Sequence, residues 1–452
     1  MSRLLTGPIL NPRPDRTVDY IADGVIATDD THRITFVGSR AGFVAMHGAT
    51  DAEPTRANGL ILPPMLDLHT HVPQWPVRGR FTEDVPNNAT GGRLIAGLLK
   101  NVFPAEARFE SLEYARHVVD AFIADTRANG VVGGCAFLTV HPEAAFDAMT
   151  RLGPLWHGGL VLMDQHCPDY LRNNLYVQED LRNLAESLGK RLVITDRFAV
   201  VTSSPLRQFG AAVAREFGLM TQTHLNEQIS EKRAVETQLY PDAGSYTQVY
   251  LRDGLLDTRA ILAHCVHMTP AEWAIVQSRR CVVAHCPTSN ALLGSGVMDL
   301  DAVVDRSIDY AICTDVGAAP TTSLLAEMAM FLRVHRARSS CASACEALYR
   351  TTLAPAQVLG VDDRVGQFKV GMPLNYVVRT LAQPISSASA EDVIRDELLE
   401  LPAYRWRATD ADVNELATGE PSAEAVAAFE QDAVALGAKY VGVIDMRLSL
   451  DQ

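Results

Sequence analysis

The 452-residue sequence predicts an α/β fold built on a (β/α)8, TIM-like barrel. Three observations predict it. Short apolar runs alternate with longer amphipathic stretches, which is the pattern of parallel βα units. Eight of these runs can be counted, the number a closed barrel needs. The candidate metal-binding and proton-transferring side chains directly follow such runs, at the strand ends where barrels of this kind build their sites.

Taken in order, residues 1–60 read as short β segments: Tyr20–Thr28, a turn over Thr28–His32, then Ile34–Gly38. The first barrel strand lies in the apolar stretch from Leu60 that leads into Asp67-Leu68-His69-Thr70-His71. The other seven are Val131–Leu138, Leu160–Met163, Leu192–Thr195, Met220–Thr223, Ala260–Ala263, Cys281–Ala284 and Tyr310–Cys313. Amphipathic stretches such as Phe209–Phe217 and Pro270–Ser278 lie between them. Barrel and connecting helices occupy residues 61–365, and 366–452 form a C-terminal region with an acidic helical tail. In that tail Glu391, Asp392, Asp396, Glu397 and Glu400 alternate with apolar residues at helical spacing, which reads as a solvated helix face.

Composition narrows the function. A formal net charge of −14, without clustered Lys and Arg, excludes a polynucleotide partner and favours a small neutral ring as substrate. There is no run of 18 apolar residues, so no membrane span is expected. The apolar stretch at the N-terminus is too short for a signal peptide, which argues for the cytoplasm. Eight cysteines at irregular spacing, without a CxxC pair, read as free and mostly buried thiols.

Two histidines at i and i+2 at a strand tip, His69 and His71, point to one side and can share a metal ion. A bare HxH is common. Three residues further along the chain give this one weight: His224 in Thr221-Gln-Thr-His224-Leu-Asn-Glu227, His264 after Ile261-Leu-Ala, and Asp315 after Ala311-Ile-Cys-Thr.

That order resembles the amidohydrolase superfamily, in which HxH follows the first barrel strand, His the fifth, His the sixth and Asp the eighth. Finer detail resembles its guanine deaminase branch: His71-Val-Pro-Gln74-Trp75, the Arg197-Phe198 pair, the His224-Leu-Asn-Glu227 box, Ala284-His-Cys-Pro-Thr-Ser-Asn290 and Thr314-Asp315-Val-Gly. The likeness runs from about residue 55 to about residue 378. Asp196 stands where the branch has Pro, and Met372-Pro-Leu-Asn375 replaces its usual Lys and Asp. The resemblance implies that the N-terminal leader pairs with a segment near Gly366–Gly371 and Asn375–Val378 in a small β-sandwich beside the barrel. It also implies a homodimer.

The resemblance implies a metal site of His69, His71, His224 and Asp315. This N3O set suits zinc, with iron as the alternative. Leu192–Val201 holds no lysine to bridge a second metal, so one ion per chain is expected. Glu227 takes the acid/base role, Asp315 also accepts the water's proton, and His264 stabilises the charged intermediate. His264 is preferred to His267 because it directly ends its apolar run. Gln74, Trp75, Arg197 and Phe198 are the expected substrate contacts: a guanidinium suits a ring carbonyl, an amide suits a mixed edge, and an aromatic face suits stacking. The competing reading of Arg197 is an ion pair with Asp196 or another carboxylate. The expected reaction is deamination of guanine or a related aminated ring such as 8-oxoguanine or a pterin. The alternatives are a superfamily hydrolase acting on a C–Cl bond or cyclic amide, and a catalytically silent scaffold.

Overall fold

The computed structural model describes residues 3–48, 53–86 and 92–449. Eight parallel strand positions follow one another: Met65–His71, Val131–Phe137, Trp156–Gly159 resuming at Val161–Leu162, Val193–Asp196, Met220–Leu225, Ala260–His264, Val282–His285 and Asp309–Ile312. Their ladders form two arcs, of three and six strands, and hydrogen bonding does not close them into one ring. One seam is spanned by the single bridge Gly158–Leu192. At the other, the Asp315 N–H donates to the His69 carbonyl at 2.9 Å. The third strand begins earlier than expected because Gly158 and Gly159 carry no side chain to signal a strand.

Period-two burial explains why these segments form strands buried on both faces. Ile261, Ala263, Val282 and Ala284 belong to an inner apolar cluster, while the intervening Leu262 and Val283 pack outward with Met328 and Phe331 of the helix Leu324–His335. Where the first two strands approach closely, Gly134 at φ 155° is required: a Cβ there would lie 1.8 Å from the Asp67 carbonyl oxygen.

The two termini meet as expected, but in a single hydrogen-bonded sheet of seven strands. Its order is Ile444–Arg447, Tyr376–Thr380, Gly59–Leu62, Arg3–Pro12, Val18–Thr28, Ile34–Ser39, with Thr55–Arg56 beside Arg3–Pro12. Val377 pairs with Leu62 and Val378 with Ile61, stitching the C-terminal part to the chain just ahead of the barrel. The Gly366–Gly371 stretch is not a strand. It supplies buried Phe368, whose backbone exchanges hydrogen bonds with the Asn11 amide at 2.7 and 3.0 Å.

The acidic tail is only partly a solvated face. Glu391 accepts from the N–H groups of Ala344 and Cys345 at 2.7 and 2.9 Å, capping the helix Ala344–Thr351. Glu400 pairs with buried Arg379 at 2.8 Å. All eight cysteines are free thiols. Among the described residues no helix is long and apolar enough to cross a membrane.

Candidate active site

His69 and His71 lie on one face of the first strand, and Asp67 shares that face two residues earlier. The Asp67 carboxylate accepts from the backbone N–H of His69 at 3.2 Å, from that of Thr314 at 3.1 Å, and from the Thr314 hydroxyl. It thereby ties the first strand to the segment carrying Asp315, and burial pushes its pKa up to about 6. His224 comes from the fifth strand and His264 ends the sixth. His264 at φ 70° and Asp315 at φ 53° occupy left-handed backbone, which costs a non-glycine residue roughly 1–3 kcal/mol. The turns aim both side chains across the strand ends.

One ligand atom from each of His69, His71, His224 and Asp315 lies within 4.8 Å of the others. Asp315 Oδ1 is 3.3 Å from His69 Nε2 and 3.2 Å from His71 Nε2, and the Nε2 atoms of His71 and His224 are 3.3 Å apart. Ligands on a tetrahedron with bonds of about 2.1 Å are separated by roughly 3.4 Å, so these spacings fit one zinc-sized ion. His224 Nδ1 donates to the Arg197 carbonyl at 2.7 Å, which leaves its Nε2 lone pair for the cluster. Both ring nitrogens of His69 and Nδ1 of His71 are buried without a hydrogen-bond partner. A bound cation explains the open His69 Nε2, the one of these that faces the cluster.

Burial lowers the pKa of all three histidines, that of His71 to about 3, so they are neutral and able to ligate. Burial would raise Asp315, but the close polar contacts from the His69 and His71 rings outweigh it and hold the carboxyl well below its usual range. Ser289 donates to its other oxygen at 2.5 Å. Glu227 is 2% exposed; burial, then repulsion from Asp315 and Glu231, raises its pKa well above the usual carboxylate range, which favours its protonated form. Ser295 donates to Glu227 at 3.4 Å, and His264 Nε2 lies 3.5 Å from it. His264 Nδ1 donates to Asn290 at 2.9 Å, fixing the ring. His267 instead bonds the Ser295 carbonyl at 2.7 Å and stays outside the lining, as does His285, paired with His335 at 2.9 Å.

The pocket beside this cluster is lined by Gln74, Arg197, Phe198, Glu227, His264 and Asp315, under an apolar roof of Phe81, Leu94, Leu98 and Leu293. Trp75 is absent from it. Residues Val72–Val77 form a 3-10 turn, in which adjacent side chains diverge by about 120°, so Gln74 and Trp75 cannot both face inward. The Trp75 indole donates to Asp125 at 2.7 Å and carries Arg78 on its face. Gly317 makes room for Gln74: at φ 129°, a Cβ there would sit 2.1 Å from its Oε1.

Arg197 is ion-paired, but not with its neighbour. Its Nη1 lies 2.7 and 2.9 Å from the two oxygens of buried Glu106, which also accepts from Gln74 Nε2 at 2.8 Å. Asp196 points the other way. It accepts from the Thr223 hydroxyl at 2.6 Å and lies 3.7 Å from buried Arg207, behind the strand that carries His224. Sequence reasoning missed Glu106, Ser289, Ser295 and the roof. A lone Glu 91 residues from its partner gives no local signal, although Asn290 and Ser289 lie inside the Ala284–Asn290 motif.

Residues 60–406 match the model of the amidohydrolase family, and the chain belongs to that family. The class so defined is a hydrolase, and the candidate metal-binding cluster lies at the C-terminal ends of the strands. Among its relatives, the guanine deaminase of Escherichia coli is 34% identical over 328 residues, 71% of this chain and 72% of that protein. A guanine deaminase from C. acetobutylicum with guanine bound in its active site superposes with a TM-score of 0.76 at 24% identity, covering 88% of this chain and 96% of that one. An atrazine chlorohydrolase from Arthrobacter aurescens TC1 complexed with zinc shares the fold, with a TM-score of 0.72 at 17% identity, covering 87% and 91%.

Proposed function

We propose that this chain hydrolyses guanine to xanthine and ammonia, using one zinc ion held by His69, His71, His224 and Asp315. The observation that carries the reading is the meeting, in one pocket, of that donor set, the buried Glu227 and the pair Gln74 and Arg197. Similarity to guanine deaminases over most of the chain supports the substrate. Residues 61–365 are taken as the barrel, with 1–60 and 366–452 forming the accessory β domain and tail.

The bound metal supplies Lewis acidity that lowers the pKa of a water towards about 7. The rest is done by side chains. Asp315, ionised, takes the first proton of the attacking water and passes it to the departing amine. Glu227 gives its proton to ring N3 and is refilled by the second proton of that water, which balances guanine plus water against xanthine plus ammonia. His264, held through Nδ1 by Asn290, offers its Nε2 lone pair to the O–H of the attacking water and so orients it. Arg197 donates to O6, and the Gln74 carbonyl accepts from a ring N–H. Phe198 supplies an apolar contact for the ring.

Ammonia release from guanine, 8-oxoguanine, a pterin and adenine, with chloride release from a chlorotriazine, tests the assignment. Guanine is expected to lead, and adenine, with an amine where Arg197 needs an acceptor, is expected to be rejected. Turnover of another ring with guanine inert would discard the substrate.

A further inference from the structure

We propose that Glu106, which does not line the pocket, is the positioning residue that sets its specificity by fixing which atoms of Gln74 and Arg197 face the ring. The inference rests on the guanine reading and extends it to a residue 91 positions from the arginine it controls.

Glu106 sits in the short helix Phe103–Ala107, where Phe103 lies one turn earlier on the same face. Together they grip Arg197 from two sides: both Glu106 oxygens bond Nη1, and the guanidinium carbon stands 5.6 Å from the Phe103 ring centre. Among the described residues no hydrogen bond occupies Arg197 Nη2 or Nε. A carboxylate can only accept, so the 2.8 Å contact to Gln74 forces its Nε2 towards Glu106 and leaves Oε1 as the amide end offered to a ligand. Glu106 therefore writes a polarity into the pocket: donor from Arg197, acceptor from Gln74. It also cancels the arginine's charge, so Arg197 reads a carbonyl by directed hydrogen bonds and not as a free cation seeking any anion. Without this anchor the guanidinium would be free to turn, and the amide could flip.

The test compares guanine with 2-aminopurine, which keeps the amine and lacks O6. In the wild-type holoenzyme guanine should be favoured by roughly 10²-fold or more in kcat/KM. Glu106→Gln should lower kcat/KM for guanine at least ten times more than for 2-aminopurine, collapsing the preference, while metal content by elemental analysis stays at the wild-type level. Glu106→Asp keeps the charge but cannot span both partners, and should shift the same ratio in the same direction; it carries the test if Glu106→Gln is poorly folded. Parallel losses on both substrates, with the preference intact, would overturn the proposal, as would failure of both variants to fold, which would assign Glu106 to the fold alone. Wild-type protein inert on guanine would instead refute the functional reading on which the proposal depends.

Discussion

Glu227→Gln isolates proton transfer from everything else the site does. The replacement keeps shape and volume in a position that is 2% exposed, and the amide oxygen can still accept from Ser295, which donates at 3.4 Å. The fold and the pocket outline should therefore survive. Glu227 is outside the group of four ligand residues, so metal content should stay at the wild-type value. What disappears is the transferable proton, whose supply by a positioned acid contributes about 10²- to 10⁴-fold. At about 1.36 kcal/mol per decade, the loss corresponds to roughly 2.7–5.4 kcal/mol of barrier. Burial and the nearby Asp315 and Glu231 charges raise the Glu227 pKa, and the protonated form is the working one, so wild-type kcat should fall as pH rises through that raised pKa. The residual activity of the variant should lack this alkaline limb. Steady-state kinetics on guanine from pH 6 upward, paired with elemental analysis, reads both quantities. A variant with retained kcat, or with lost metal, would refute the assignment.

Replacing His69 or Asp315 with Ala should abolish both metal binding and turnover, checked by elemental analysis of the purified variants. Arg197→Met should cost about 2–4 kcal/mol in kcat/KM for guanine, the loss of a charge-assisted hydrogen bond in a closed pocket, with metal content unchanged. Asp196→Ala removes the 2.6 Å acceptor of the Thr223 hydroxyl in a buried site and should lower stability to denaturant by about 1–3 kcal/mol while preserving the order of substrate preference, because Asp196 faces away from the ring. Trp75→Phe should leave kcat/KM within about threefold of wild type, since the indole bonds Asp125 outside the lining.

The candidate ligand positions were legible because a barrel strand advertises itself as a short apolar run, and the polar side chains that cluster sit where the run stops. His69, His71, His224, His264 and Asp315 all obey that rule, and all meet at one end of the strands. Side-chain direction beyond a strand end was not legible. Gln74 and Trp75 are neighbours in sequence, and only the tight turn over Val72–Val77 decides that one faces the pocket and the other faces Asp125. The Asp196 substitution carried the same ambiguity. Period-two alternation from Thr195 and Arg197 places Asp196 on the opposite face, but its partners Thr223 and Arg207 come from elsewhere in the chain. Glu106 reaches Arg197 through tertiary packing alone. At the C-terminus, Ile444–Arg447 alternates apolar Ile444 and Met446 with Asp445 and Arg447, but four residues are too few for that alternation to stand out in the sequence, and pairing with Tyr376–Thr380 is what makes it a strand.

The most direct test of the account is a single incubation of the purified, metal-analysed protein with guanine, tracking xanthine and ammonia together. Equal amounts of the two products, from a protein carrying about one zinc per chain, are the predicted result. A fully metal-loaded protein that leaves guanine unchanged would contradict it.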